Sequence, residues 1–275
     1  MSSTSSYDNV AESYTSASDL FGAISLSHEC AINQLINAGF DSPPPYHMLD
    51  LGVGNGAFLQ KLQEHFPESH FTGIDISAEM LKLAQTALPS LTTIQTSATE
   101  ASQCLPHHSQ NLVLAHFINA YIPIEQLFNQ GSLLTSPNNY FSMITTTYDS
   151  FRNGQLEFDK FCSQKSPLNR IVKRYYERVI QNTTVAQNEH ELMQTFTDHQ
   201  FEIVDHQRLT ISITIENIDD LFRFGIDGGW FLNGFPSTFL PKKVMRWILR
   251  FVVCKIITFP YKDIHVIDVV LVRKR

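Results

Sequence analysis

Apolar and polar positions follow two different periods along this chain, and the switches between them mark out its elements. Residues 19–38 have helical spacing through Phe21, Ile24, Leu35 and Ile36. Asp41-Ser42-Pro43-Pro44-Pro45 ends that helix, because proline cannot continue it. From residue 46 short apolar runs alternate with amphipathic stretches. Tyr46 to Leu51, His70 to Ile76, Thr92 to Thr96, Leu112 to Phe117 and Tyr140 to Thr147 read as five strands. Between the first two, Ala57 to Phe66 presents Phe58, Leu59, Leu62 and Phe66 at helical spacing. Ser77 caps the next helix, which carries Met80, Leu81, Ala84 and Leu88 on one face. This alternation predicts an α/β fold with a mostly parallel sheet and helices on both faces.

The later pattern is less regular. Ser166-Pro167 opens an amphipathic helix with Leu168, Ile171, Val172, Tyr175, Tyr176, Val179 and Ile180 at helical spacing, Tyr175 and Tyr176 facing inward. Asn188 and Glu191 resemble a capping box for a helix to about His199. Phe201 to Ile215 reads as a long strand, and Ile264 to Val272 is apolar enough for a central one. The expected organisation is an N-terminal helical cap at 1–45, a core at 46–148, a helical insertion at 149–187 and a completing segment at 188–275. Within the last, 216–262 forms a second insertion.

Composition narrows the function classes. Of 275 residues, 43% are apolar, which supports a sizeable core and excludes general disorder. Twenty basic against 27 acidic residues give a net charge of −7, which disfavours a nucleic-acid binder. Cys30, Cys104, Cys162 and Cys254 have no metal spacing and imply a reduced, cytoplasmic protein. The polar start Met1-Ser2-Ser3 predicts no signal peptide. Trp247 to Phe259 is too short, and too interrupted by Arg250 and Lys255, to span a bilayer. The weakly charged polar surface fits a monomer or a dimer equally.

The candidate chemistry centres on Asp50-Leu51-Gly52-Val53-Gly54-Asn55-Gly56, between the first strand and the first core helix. Glycines there let the backbone turn tightly and approach a ligand. Gly52, Gly54 and Ala57 also satisfy a dinucleotide-binding pattern, so the loop alone does not decide. Asp50 at the strand tip would repel a pyrophosphate and attract an ammonium. Asp75, 19 residues after Gly56, suits the two hydroxyls of a ribose. The chain also lacks a full second nucleotide-binding half. An adenosine with a cationic amino-acid tail meets all three conditions.

On these residues the sequence resembles the class I S-adenosylmethionine-dependent methyltransferases. The matching pieces are Met48 to Gly56, Gly73-Ile74-Asp75-Ile76-Ser77, Thr96-Ser97-Ala98-Thr99 and Asn111 to Phe117. The resemblance implies a Rossmann-like seven-stranded sheet. It places the methionine part of S-adenosylmethionine over Gly52, Gly54 and Gly56, and the ribose on Asp75. Adenine would stack beside Ile76 and Met80, with Ser97 and Ala98 at its edge, and His116 and Phe117 would face the reacting centre. Two departures stand out: Ser97 replaces a frequent acidic residue, and Asn111 a frequent Asp.

Methyl transfer mainly requires positioning, and a base only where the acceptor must lose a proton. His116 is the candidate base, with an unperturbed pKa of about 6.5, and Tyr176 is a second candidate catalytic group. Tyr7 and Tyr14 lie in a segment that closes over the cofactor in this family. Phe222, Phe224, Trp230, Phe231 and Phe235, with Gly225, Gly228, Gly229 and Gly234, suggest an aromatic lid over a small organic acceptor. No metal set is evident: His107 and His108 are adjacent, and His190 and His199 do not share a helix face. No Asn-Pro-Pro-Tyr-type motif follows the fourth strand. The expected function is therefore methyl transfer to an oxygen or nitrogen of a small, partly apolar molecule. Two alternatives stay open. One is self-cyclisation of the cofactor, releasing methylthioadenosine. The other is a lipid methyltransferase touching the membrane surface through basic residues 242–255.

Overall fold

In the computed structural model of the chain, the described residues are 14, 16–40, 43–181, 184–199, 201–228 and 242–275. Seven strands build one sheet: β1 (His47–Leu51), β2 (His70–Asp75), β3 (Thr92–Gln95), β4 (Gln110–His116), β5 (Thr135–Thr146), β6 (Phe201–Ile215) and β7 (Tyr261–Lys274). Their order is β3-β2-β1-β4-β5-β7-β6. The first five are parallel, and β7 runs antiparallel between β5 and β6. The apolar run ending the sequence is thus a central strand, buried on both faces.

The helices are α1 (Ala23–Ala38), α2 (Ala57–His65), α3 (Ala78–Ala87), α4 (Ala101–Cys104), α5 (Ile124–Leu134), α6 (Arg152–Ser163), α7 (Pro167–Gln181), α8 (Glu189–Asp198), α9 (Ile218–Phe222) and α10 (Lys242–Ile256). Strand residues alternate between two cores, as the period of two requires. Met48, Leu112, Leu114 and Val269 pack beneath α1, α2 and α3. Leu49, Leu51, Val113, Ala115 and Val270 pack beneath α5 and α8. Asp50 and His116 fall in the phase of the first set, on the α1/α2 side. A third, smaller cluster of Phe161, Val172 and Ile256 joins α6, α7 and α10.

Local signals explain most boundaries. The Ser77 hydroxyl accepts the Met80 N–H at 3.1 Å, and Asn188 accepts the Glu191 N–H at 3.0 Å, so both expected caps form. α1 begins at Ala23 rather than 19, because the Asp19 carboxylate accepts the N–H groups of Ile24 and Ser25 and so caps from outside. Ile36 is 47% and Ile171 67% exposed, although both belong to the apolar patterns of their helices. The small Ala31 and the long Leu35 lie on the buried side of α1, and on α7 Val172 is buried next to Ile171.

Candidate functional site

The loop after β1 turns on three glycines in the left-handed region: Gly52 (φ 86°), Gly54 (φ 54°) and Gly56 (φ 78°). At Gly52 an added Cβ would stand 2.5 Å from the Ile118 side chain, so the segment after β4 closes against this turn. At Gly54 an added Cβ would meet nothing within 4 Å. The loop's crest is therefore bare backbone facing open space. Its amides are already engaged. Gly52 and Val53 donate to the Ile74 carbonyl, Gly54 donates to Asp75, Gly56 donates to the Val53 carbonyl, and Ala57 donates to Asn55. A pyrophosphate needs such donors free. These donors are turned into the protein.

Two acids flank the loop. Asp75 ends β2, and its two oxygens accept the N–H of Gly54 at 3.0 Å and of Ser77 at 2.8 Å. Asp50 sits one residue before the end of β1, 3% exposed, and its Oδ1 has no hydrogen-bond partner among the described residues. Burial pushes its pKa up to about 8, with the nearby Asp75 charge adding to the effect. A buried, unsatisfied acid of this kind is a costly feature. It is the natural seat for a cationic donor.

The tip of β4 meets the same place. His116 lies 4.4 Å, ring to ring, from Phe58 in the first turn of α2, and 6.1 Å from His28 of α1. Its Nε2 bonds the buried Ser142 hydroxyl at 3.0 Å, while its Nδ1 is buried without a partner among the described residues. The ordinary imidazole pKa expected for His116 does not hold. Burial, and then the neighbouring His28, hold it well below 6.5. His28, also buried, is lowered to about 3. Both rings are neutral at physiological pH, so His116 is a weaker base than expected. Phe117 follows in a left-handed conformation (φ 57°), unusual for a bulky residue and often found at functional sites.

The remaining expected residues fall as follows. Tyr14 is packed near Asp75: burial, and then Tyr121, Asp75 and Asp19, raise its phenol pKa. Ile76 is 56% exposed just beyond Asp75, whereas Met80 is 1% exposed. Met80 is enclosed because it starts the buried face of α3 with Leu81 and Ala84. Ala98 is buried, and the Ser97 hydroxyl accepts the Thr99 N–H, capping a short turn after β3. Phe224 is fully buried against Phe21, with ring centroids 5.1 Å apart, and acts as core, not as an exposed lid. The side chains of Tyr175 and Tyr176, residues 229–241 and Tyr7 lie outside the described set. Among the described residues, no group of three or more His, Cys, Asp or Glu could hold a metal ion.

Sequence reasoning missed His28, Tyr121 and Asn119. Asn119, in the loop after β4, is 1% exposed with its Nδ2 lacking a partner among the described residues. Tyr121 was legible in principle as an aromatic residue shortly after a strand tip. His28 was not, because only α1 docking on the sheet brings it to His116.

Comparison with known proteins bears on this geometry. Residues 48–138 match the family model described as a methyltransferase domain. Over 53 residues the chain is 45% identical to a trans-aconitate 2-methyltransferase of an Acidovorax species, a match covering 19% of this chain and 20% of that protein. The match thus spans about a fifth of the curated relative's length. Among solved structures, the YcgJ protein of Bacillus subtilis superposes with a TM-score of 0.55 at 12% identity, covering 90% of this chain and 99% of that one. A geranyl diphosphate C-methyltransferase of Streptomyces coelicolor, solved with S-adenosyl-L-homocysteine, gives 0.52 at 12% identity over 98% and 84%.

The sheet order and the loop agree with the match of residues 48–138 to a methyltransferase domain. S-adenosylmethionine is the cofactor of the methyltransferases that these residues resemble. The residues present fit that cofactor. Gly54 leaves a bare cradle, and the buried Asp50 Oδ1 has no hydrogen-bond partner among the described residues. Gly54→Ala tests the cradle directly. The added methyl meets no protein atom, so stability should fall by only about 1 kcal/mol, the cost of a left-handed non-glycine residue. Cofactor affinity by calorimetry should fall at least tenfold, and unchanged affinity would place the ligand elsewhere.

Proposed function

We propose that this protein transfers the methyl group of S-adenosylmethionine to an oxygen or nitrogen of a small, partly apolar acceptor. The observation that carries the proposal is the buried Asp50, whose Oδ1 has no partner among the described residues, on the strand that leads into the bare Gly54 turn and near Asp75. When bound, the cofactor supplies an electrophilic methyl on a sulfonium. In this reading Asp50 holds the cofactor's ammonium, Asp75 its ribose hydroxyls, and Ile76, Ser97 and Ala98 border its adenine. Tyr14 closes beside the ribose from the N-terminal segment. Tyr176 stays a candidate for the acceptor side. Residues 1–45, 149–187 and 216–262 are proposed as the cap and insertions around a core formed by 46–148 and the rest of 188–275. Four free cysteines support a reduced compartment. No helix among the described residues is long and apolar enough to cross a membrane.

The weak basicity of His116 favours an acceptor that arrives ready to react, such as a carboxylate oxygen or a neutral amine. The name of the Acidovorax relative agrees with such an acceptor. His116 then orients and desolvates, its ring fixed by Ser142 and Phe58. His116→Ala should lower kcat roughly tenfold with cofactor affinity little changed. The wild-type rate profile should show no ionisation of this ring near its ordinary value of about 6.5, since its pKa lies well below. A rate inflection there that disappears in His116→Ala would restore it as the base.

Product analysis tests the whole reading. Incubation with cofactor and a panel of small carboxylic acids and amines should yield S-adenosylhomocysteine only when an acceptor is present. Methylthioadenosine formed without any acceptor would replace methyl transfer by cofactor cyclisation.

A further inference from the structure

We propose that α6, α7 and α10 form a face that docks on a membrane surface rich in anionic lipid. The observation is a segregation of charge within an acidic protein. Segments 152–181 and 242–256 contain twelve of the twenty basic residues and three of the twenty-seven acidic ones. Twelve minus three makes these helices +9, while the eight basic and twenty-four acidic residues elsewhere leave −16. The helices share the small core of Phe161, Val172 and Ile256, so these basic segments are neighbours in the fold.

Large apolar side chains stand out from the same helices. Trp247 is 69% and Phe251 52% exposed, four residues apart and so neighbours on the outer side of α10, while Val252 and Ile256 pack inward. Lys255 rests 4.9 Å above the Phe251 ring, and Arg246 and Arg250 flank the pair. Arg246 and Arg250 also contact Asp227 and Asp219, in exposed pairs that lipid phosphates can replace. Ile171 of α7 and Leu156 of α6 extend the apolar exposure to 67% and 53% at those positions.

This combination selects the occupant. A helix with aromatic residues on one side and cations around them lies in the headgroup region, with rings below the phosphates and cations among them. Cations serving a small anionic substrate would turn into the cleft, whereas Arg246, Arg250 and Lys255 are solvent-exposed. A nucleic acid would pair with the charges but leave Trp247 without a role. The inference does not depend on which acceptor is methylated.

The test is flotation of the full chain with phosphatidylcholine vesicles, and with vesicles doped with phosphatidylserine, at low and high salt. Binding is expected only to the doped vesicles, weakening at least tenfold as salt screens it. Trp247 emission should shift to the blue in a Trp230→Phe background. Trp247→Ala with Phe251→Ala should weaken binding about tenfold or more, and each of Arg246→Ala, Arg250→Ala and Lys255→Ala about fivefold. Circular dichroism of each variant checks that the helices persist. No binding to doped vesicles at low salt, equal binding to undoped ones, or indifference to loss of Trp247 and Phe251 would overturn the proposal. Double-stranded DNA bound as tightly as the doped vesicles, with the aromatic variants unaffected, would overturn lipid as the occupant.

Discussion

Asp50→Asn should make the ligand-free protein more stable and, at the same time, nearly unable to bind its cofactor. The folded-state pKa of Asp50 is pushed up to about 8 by burial and by Asp75, against an ordinary value of 3.8. A group whose folded pKa is raised holds its proton more tightly in the native state. Its contribution is therefore favourable at low pH and declines as pH rises through the window between the two values. The slope in that window is about 1.4 kcal/mol per pH unit, levelling off above pH 8. The neutral amide removes this slope. Thermal melts from pH 4 to pH 9 should show Asp50→Asn gaining on the wild type as pH rises, by several degrees at pH 8.

Cofactor binding should behave in the opposite way. An ammonium seated on Asp50 requires the carboxylate, so wild-type affinity should rise by up to about tenfold per pH unit toward pH 8. It should then fall as the ligand's own amino group, with a pKa of about 7.7–8.0, loses its proton. Asp50→Asn should weaken binding by about a hundredfold, the worth of a buried charge-assisted hydrogen bond. Equal affinity in both proteins, or a wild-type affinity flat in pH, would remove the ammonium from this carboxylate.

Asp75→Ala should abolish measurable cofactor binding and loosen the glycine loop together. Its two oxygens hold the Gly54 and Ser77 amides from below. The substitution leaves two donors unsatisfied, at about 1–3 kcal/mol each, and removes the acceptors for a ribose. Calorimetry should show affinity lost by more than about a hundredfold, with a lower melting temperature. A coupled readout separates the ribose role from loop collapse. Asp75→Asn keeps an acceptor for the loop but not the charge, so it should recover much of the stability and little of the affinity. Loss of the Asp75 charge should also lower the pKa of Asp50, moving the level part of its pH–stability curve below pH 8. Retained affinity in Asp75→Ala would leave the ribose without its anchor and end the assignment.

How far the primary structure carried can be read from particular elements. The parallel half-sheet was legible because each strand is a short apolar run beside an amphipathic helix with its own cap, as at Ser77 and Asn188. The acid–glycine–acid spacing of Asp50, Gly52 to Gly56 and Asp75 was legible because both acids sit at adjacent strand ends, and β1 pairs directly with β2. These are local consequences of period and register, which a linear pattern encodes.

Other features arise only from assembly. His116 looked like an ordinary imidazole, and its lowered pKa comes from burial, to which α1 adds the neighbouring His28. Met80 matched a ligand-stacking position, yet the packing of α3 encloses it. Phe224 suggested a lid, yet it closes a core with Phe21, two hundred residues away along the chain. The sequence by itself determined which residues lie at strand tips, which turns need glycine and which helices are amphipathic. Tertiary structure decided which polar atoms lose water, because desolvation depends on neighbours from distant segments. That step turned Asp50 from a strand-end acid into a buried carboxylate without a partner among the described residues.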